Sequence, residues 1–77
     1  MILNHLEILP VHKLKLKWLM HRTGAMDKTD AVFIAEVCER LKAESNYKVA
    51  KPAVIRYIDY LYEKYVFHLK RRFNNVD

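Results

Sequence analysis

Residues 34–61 of the chain read IAEVCERLKAESNYKVAKPAVIRYIDYL and contain its clearest structural signals. On both sides of the Ser-Asn pair at 45–46, apolar residues recur every three or four positions, which is the spacing of one face of an α-helix. Pro52 suits the first turn of a helix, where its missing N–H is not needed, and it biases Lys51 towards an extended conformation. The stretch therefore predicts two amphipathic helices joined by a short turn, the first over about 30–43 and the second from 51 or 52.

These two helices are predicted to pack through their apolar stripes. Asp27 or Thr29 can cap the first of them, and Asp30 places negative charge in its positive first turn. The predicted core positions of this helix are Val32 or Phe33, Ile34, Val37, Cys38 and Leu41. Those of the following helix are Val54, Ile58, Leu61 or Tyr62, Tyr65 and Leu69.

A further helix is predicted upstream, over about 11–22, between Pro10 and Gly24. The alternation of Lys and Leu over 13–18 also fits a half-buried strand. The helix is favoured because residues 12–22 contain no β-branched side chain and are mostly Leu and Lys, both good helix formers. The residues then predicted to face inward are Val11, Leu14, Trp18 and His21.

Downstream, the apolar spacing continues past Lys64, which predicts one extended last helix. The alternative ends the helix near Lys64 and makes residues 65–69 a short β segment, because aromatic and β-branched residues favour strands. The helix is favoured since no Gly or Pro interrupts the region. The whole pattern predicts an all-α fold, a single small three-helix domain over 1–77 with flexible ends at about 1–8 and 74–77.

The composition fits this fold and excludes several classes of protein. Of 77 residues, 52% are hydrophobic, and one Gly and two Pro are too few for a many-stranded fold. The single cysteine, Cys38, excludes an internal disulfide framework, so a reducing, cytoplasmic compartment is expected. The N-terminal residues lack the pattern of a secretory signal, and no apolar run approaches the about 20 residues of a membrane span, so no membrane partner is expected.

Charge is the first functional indication. Lys and Arg number 14 against 9 Asp and Glu, which gives a net charge of +5. Residues 47–77 hold seven basic and three acidic side chains, whereas residues 1–46 hold seven and six. This asymmetry favours an anionic partner for the C-terminal half. A basic surface that serves only solubility is the alternative.

The quoted stretch also resembles a known DNA-binding unit. It contains AEVCERL at 35–41, then Val49-Ala50 in the turn, then PAVIRYIDYL at 52–61. This order is similar to the helix-turn-helix of winged-helix domains, notably those of the ferric uptake regulator family, where AEEIYERL precedes a recognition helix of the form ATVYRNLNLL. The resemblance covers about a third of the chain and implies DNA binding, transcription regulation and a β-hairpin wing. The chain has no Gly or Asn-Gly turn to form that wing before Asn74-Asn75, and the matched residues do not imply metal sensing.

A recognition helix turns its apolar stripe inward and presents polar or basic side chains near its N-terminus to the major groove of DNA. The outward residues then expected here are Lys51, Ile55, Arg56, Tyr57 and Tyr60. Arg56 can pair with a guanine edge or a phosphate, whereas Lys48 and Lys51 suit phosphates. The predicted nucleic-acid-binding residues are Lys48, Lys51, Arg56, Tyr57, Tyr60, Lys70, Arg71 and Arg72. Alternatively, Arg56 is an ordinary solvated residue, the tyrosines half-bury their rings at the edge of the core, and residues 70–72 form a favourable cationic helix end.

No catalytic, metal or cofactor site is expected. The four histidines lack the spacing of metal ligands, and the chain has no Cys-x-x-Cys pair or Gly-rich phosphate loop. Cys38 lies in the apolar stripe and Ser45 has no paired His, so neither is a predicted nucleophile. The protein is therefore not expected to be an enzyme.

The five tyrosines motivate a second hypothesis. Tyrosine rings supply large contact area at low entropic cost, so a Tyr-rich helix face is a good protein interface. On this hypothesis the chain is a small helical adaptor or inhibitor that binds a protein partner, or a second copy, through Tyr57 and Tyr60. The leading hypothesis from the sequence is a small helix-turn-helix-like regulator that binds double-stranded DNA at the nucleoid.

Overall fold

The structure, a computed structural model, describes residues 5–44 and 46–74, with side chains as far as Arg71. In chain order the elements are β1 (Leu6–Glu7), α1 (Pro10–Met20), a 3-10 turn (Thr23–Ala25), α2 (Lys28–Ala43), β2 (Val49–Ala50) and α3 (Pro52–Asn74). The prediction of a small, mostly helical fold with three helices is confirmed. The two short strands are an addition that the sequence did not predict.

The two strands join the N-terminal segment to the turn before α3. They pair antiparallel, and their register sets Leu6 opposite Ala50 and Glu7 opposite Val49. The Ile8 N–H donates to the Lys48 carbonyl at 2.7 Å, and Ile8 is buried against Ile55. Residues 1–8 were expected to be a flexible end; instead, the part from β1 to Ile8 is held by these bonds and by apolar burial. Two-residue strands are too short to produce a recognisable alternation in sequence.

α1 packs against both other helices and lies between them in the core. The helix prediction for residues 13–18 is confirmed. Of the residues predicted to face inward, Trp18 packs against the core, but the prediction was wrong for Val11, Leu14 and His21, which are exposed. The buried side chains are His12, Leu16 and Leu19, whereas Leu14 is 68% exposed and Val11 47% exposed. Alternating Leu and Lys place apolar side chains on several sides of a helix, so the pattern alone does not select the buried side.

α2 begins at Lys28, close to the predicted start. Of the two predicted cap residues, Asp27 and Thr29, Asp27 occupies the N-cap position, but its side chain makes no capping hydrogen bond. Ile34 and Val37 are buried, and of the alternatives at 32 and 33 the partly buried one is Phe33. The α2 stripe is therefore largely as predicted.

α3 is one continuous helix of 23 residues, so the extended-helix alternative is confirmed and the short β segment at 65–69 is wrong. A β-hairpin wing is likewise absent from the described residues. Residues 67–71 are all exposed, because the helix continues beyond the elements that cover its first half. α3 is therefore packed through its N-terminal half and its middle, as far as Tyr65, and the rest of its C-terminal half projects.

The core lies where α1, α2 and α3 meet. Its fully buried side chains are Leu16, Leu19, Ile34, Ile58 and Leu61. Burial of each such side chain is worth roughly 1.5–3 kcal/mol. Because two of these residues lie on α3, the inward face of that helix is fixed, and so is the direction of its outward face. Among the described helices, none combines the length and the apolarity required to cross a membrane.

Candidate nucleic-acid interface

The outward face of the N-terminal half of α3 carries the predicted recognition residues. Ala53, Arg56 and Tyr60 are exposed and lie on the side of the helix opposite the buried Ile58. Arg56 and Tyr60 are four residues apart, so their side chains are neighbours on the helix surface. Lys51, directly before the helix, is also exposed. The small Ala53 leaves room for another molecule to approach the backbone.

The charge on this face is positive. Lys48, beside β2, is exposed like Lys51 and Arg56. The only carboxylate between residues 46 and 60 belongs to Asp59. Its Oδ1 atom accepts a hydrogen bond from Lys15 Nζ at 3.0 Å, so its charge is neutralised on the α1 side of the helix. Lys48, Lys51 and Arg56 are therefore exposed cations, and the exposed carboxylate of Glu7 lines the same cleft as Lys48.

Two residues expected on this face point elsewhere. Ile55 is only 5% exposed, and it packs against Ile8 in the smaller apolar cluster. Tyr57 points towards α2, where its ring contacts Phe33 edge to face at 4.7 Å and its hydroxyl donates to Asp30 Oδ1. The prediction that Ile55 and Tyr57 face outward was wrong, because the covered arc of α3 is wider than the Val54–Ile58–Leu61 stripe.

The partner of Tyr57 is a buried carboxylate at the start of α2. Asp30 is 4% exposed, and three side chains of α3 donate hydrogen bonds to it. They are Tyr57 to Oδ1, Tyr65 to Oδ2 at 2.8 Å and Lys64 to Oδ2 at 3.0 Å. These contacts tie the first turn of α2 to the middle of α3. They fix α3 on the side that faces α2, which is not the side that carries Arg56 and Tyr60.

The hydrogen bonds to Asp30 also govern its ionisation. Burial alone raises the pKa of the Asp30 carboxyl, but the bonds from Tyr57, Tyr65 and Lys64 together outweigh burial and hold the pKa below its usual value. The hydrogen bond from Tyr57 to Asp30 raises the pKa of the Tyr57 hydroxyl to about 12. The hydrogen bond from Lys64 to Asp30 likewise raises the pKa of the Lys64 ammonium. Asp30 is therefore an ionised, fully bonded anchor at neutral pH.

Sequence reasoning missed this anchor, since Asp30 was assigned only to the charge of a helix N-terminus. A signal for it did exist. Tyr57, Lys64 and Tyr65 are separated by seven and eight residues, which places them on one side of a helix. Three donors on one side of α3 indicate an acceptor on a neighbouring element, and Asp30 is an acidic residue within the apolar pattern of α2.

Tyr60 differs from Tyr57 in being free of protein hydrogen bonds among the described residues. It is 56% exposed, and its ring is stacked on that of Tyr57 with centroids 5.8 Å apart. Because Tyr57 is anchored on Asp30, this stacking restricts the Tyr60 ring. Tyr60 thus presents an exposed aromatic ring, restricted by its stacking on Tyr57, on a basic face.

The second predicted basic cluster lies at the other end of α3. Lys70 and Arg71 are exposed, and the Arg71 guanidinium lies 5.9 Å from the centre of the Phe67 ring. The side chain of Arg72 lies outside the described residues. Fourteen residues of helix separate Arg56 from Lys70, a length of about 21 Å. The structure therefore does not bring the two basic clusters together.

Other parts of the described surface hold no predicted site residue. A cleft of about 390 Å³ lies between the 3-10 turn and α3, lined by Arg22, Ala25, Asp27, Lys64, Tyr65, His68 and Leu69. Within residues 5–44 and 46–74, no group of three or more His, Cys, Asp or Glu side chains is placed to hold a metal ion. Burial raises the pKa of the Cys38 thiol, which keeps it protonated at neutral pH.

Comparison of the chain with protein families, with curated proteins and with solved structures found no match.

Proposed function

We propose that this protein binds double-stranded DNA and regulates transcription, with the N-terminal half of α3 lying in the major groove. The observation that supports it best is the outward face of that half, where Arg56 and Tyr60 are exposed, together with the exposed Lys48 and Lys51 that precede the helix. The single carboxylate of this stretch, on Asp59, is occupied by Lys15. The major groove, about 12 Å wide, admits a helix that presents such a face.

Each residue of the face has a separate role in this proposal. Arg56 lies one turn inside the helix, where a guanidinium reaches a guanine edge with two hydrogen bonds. Lys48 and Lys51 precede the helix and contact phosphates, which fixes the position of the helix without selecting a sequence. The Tyr60 hydroxyl donates to a phosphate at the groove edge. Tyr57 is removed from the recognition set, since its hydroxyl is used by Asp30.

The basic cluster at the end of α3 has a different role. Lys70 and Arg71 lie about 21 Å along the helix from Arg56, so they cannot reach the same base pairs. We assign them, with Arg72, to phosphates flanking the site, which contribute affinity without sequence preference. Binding of DNA would place the protein inside the cell, at the nucleoid.

The proposal is tested by fluorescence anisotropy with labelled duplexes at two salt concentrations. Binding is expected at about 50 mM salt and should weaken steeply towards 200 mM, because counterions compete for the phosphates. Arg56→Ala should weaken binding about 5- to 100-fold on a preferred sequence, whereas Lys70→Ala should weaken all sequences alike. Lys42→Ala, which removes an exposed cation from α2, is the matched control and should leave binding unchanged.

Absence of binding at about 50 mM salt, where phosphate contacts are strongest, would contradict the proposal. If Arg56→Ala and Lys70→Ala behave alike on every sequence, Arg56 has no recognition role.

A second candidate function is a protein-interaction module that uses the exposed aromatic ring of Tyr60. It is favoured by the 56% exposure of Tyr60 and by its fixed stacking on Tyr57, since held aromatic rings are frequent interface anchors. Charge reversal of Lys48 and Lys51 separates the two candidates. It should abolish DNA binding, whereas a Tyr60-based protein complex should persist and be lost on Tyr60→Ala.

A further inference from the structure

The projecting half of α3 carries an exposed face that shares only Lys70 with the DNA-binding proposal. Glu63, Val66, Phe67 and Lys70 are spaced by three, one and three residues, so their side chains share one side of the helix. Phe67 is 57% exposed, and Glu63 and Lys70 are exposed as well. We name these four residues the α3 tail face. Val66 is partly buried, and within the described part of the chain the other three residues are exposed.

The tail face includes a surface depression. A shallow cleft of about 210 Å³ is lined by Tyr62 and by the four residues of the face. At its inner end Tyr62 contacts Trp18 of α1, with ring centroids 5.2 Å apart. Phe67 therefore stands at the edge of an apolar depression whose floor is continuous with the packed part of the protein.

The order of charges on this face is self-complementary. Glu63 and Lys70 lie at equal distances on either side of the midpoint between Val66 and Phe67. When two copies of such a helix lie antiparallel and cross at that midpoint, each Glu63 faces the Lys70 of the other copy. Val66 and Phe67 of one copy then face Phe67 and Val66 of the other. An interface in which each copy contributes the same surface is the arrangement of two-fold symmetric dimers.

The charges on the face are available for this pairing. Within the described part of the chain, neither Glu63 nor Lys70 has an ion-pair partner, whereas Lys64 is held by Asp30 on another side of α3. A uniformly acidic or uniformly basic partner would place a like charge against one end of the face. A second copy in antiparallel orientation matches both ends.

We infer that the α3 tail face is a homodimer interface, in which the C-terminal halves of two α3 helices pack antiparallel about a two-fold axis between Val66 and Phe67. Each Phe67 ring enters the cleft beside the partner's helix, and two Glu63–Lys70 pairs close the ends. This inference does not depend on DNA binding, and in the dimer Lys70 pairs with Glu63 of the other copy in place of a phosphate. Either proposal can fail while the other stands.

The test is a charge-reversal series followed by sedimentation velocity over about 1–200 μM protein at low salt, a range that covers micromolar dissociation constants. The wild-type chain is expected to pass from monomer to dimer. Glu63→Lys and Lys70→Glu each set two pairs of like charges opposite each other, so each should raise the dissociation constant at least about tenfold.

The decisive step restores the pairing in two ways. The double variant Glu63→Lys with Lys70→Glu should dimerise within about threefold of wild type, because the swapped charges match again. An equimolar mixture of the two single variants should form heterodimers, since all like-charge pairs in the homodimers become opposite-charge pairs. Phe67→Ala should weaken the dimer with no effect on charge.

Glu39→Lys, an exposed charge reversal on α2, is the matched control and should leave dimerisation unchanged. Circular dichroism of each variant checks that the helices remain. A wild-type chain that stays monomeric throughout the range overturns the inference. So does a dimer that tolerates both single reversals, or one that the double variant and the mixture fail to restore.

Discussion

Replacement of Asp30 by Asn is the sharpest test of how α2 and α3 are held together. The change preserves the shape of the side chain but removes the charge that accepts hydrogen bonds from Tyr57, Tyr65 and Lys64. The new amide offers one acceptor oxygen, and its NH₂ group meets donors in place of an acceptor. One buried hydrogen bond to a charged group is worth about 1.5–3 kcal/mol, and breaking a buried ion pair costs about 3–5 kcal/mol.

Lys64 reduces this cost, because its side chain is 26% exposed and keeps Asp27 at 3.6 Å. We therefore expect Asp30→Asn to lower the free energy of unfolding by about 2–4 kcal/mol. For a domain of this size, that corresponds to a fall in Tm of roughly 10–25 °C. Urea denaturation followed by circular dichroism measures the change, and an unchanged slope with denaturant shows that the same surface unfolds.

Asp27→Asn is the matched control. Its carboxylate also lies near Lys64, but its side chain is 80% exposed, so its loss should change the unfolding free energy by less than about 0.5 kcal/mol. Equal effects of the two substitutions would refute the reasoning that burial and three donors make Asp30 the anchor. An Asp30→Asn variant as stable as wild type would refute it as well.

Two further predictions concern stability. The pKa of Asp30 is lowered on folding, so the stability that Asp30 contributes is present above its unfolded pKa of 3.8 and is lost as the pH falls below that value. The pKa of Tyr57 is raised to about 12 in the folded state, so the stability that Tyr57 contributes is lost as the pH rises from 10 through that value. Urea titrations at each pH measure the free energy of unfolding, and the stability lost at acid pH should no longer be lost in Asp30→Asn. If Asp30→Asn still loses the full amount at acid pH, other carboxylates cause the loss. Leu19→Ala should cost about 2–5 kcal/mol because Leu19 is fully buried, whereas Leu14→Ala, at a site 68% exposed, should stay within about 0.5 kcal/mol; similar losses would show that the inward face of α1 is misassigned.

The sequence predicted the helices well where their signals are local. Pro52 marks the start of α3, and the absence of Gly and Pro after it correctly favoured one continuous helix. Propensity and apolar spacing operate within a few residues, so they are visible in a single sequence. The strand pair was missed, because its partners at Leu6 and Ala50 are far apart in the chain and each strand has two residues.

The errors share a physical cause, which is that burial depends on neighbouring elements. In α1 several faces carry Leu or Val, and only the positions of α2 and α3 determine that Leu16 and Leu19 are covered. Tyr57 is predicted at the surface because a polar hydroxyl is usually exposed, whereas here the hydroxyl donates a hydrogen bond to the buried Asp30 carboxylate on α2. The predicted site residues that are charged and have no buried partner, such as Arg56, are exposed as predicted.

The unbroken course of α3 fixes a length as well as a shape. In the proposed dimer each Arg56 lies about 16 Å along the helix from the crossing point, so the two arginines are about 31 Å apart. One turn of DNA, which separates the half-sites of dimeric helix-turn-helix proteins, measures about 34–36 Å. Arg56 lies seven residues before Glu63, so it shares the side of α3 on which the dimer face lies, and a single residue inserted between Tyr60 and Glu63 would turn it by about 100° away from that side. The continuity of this helix would thus couple which DNA sites can be read to how two copies meet.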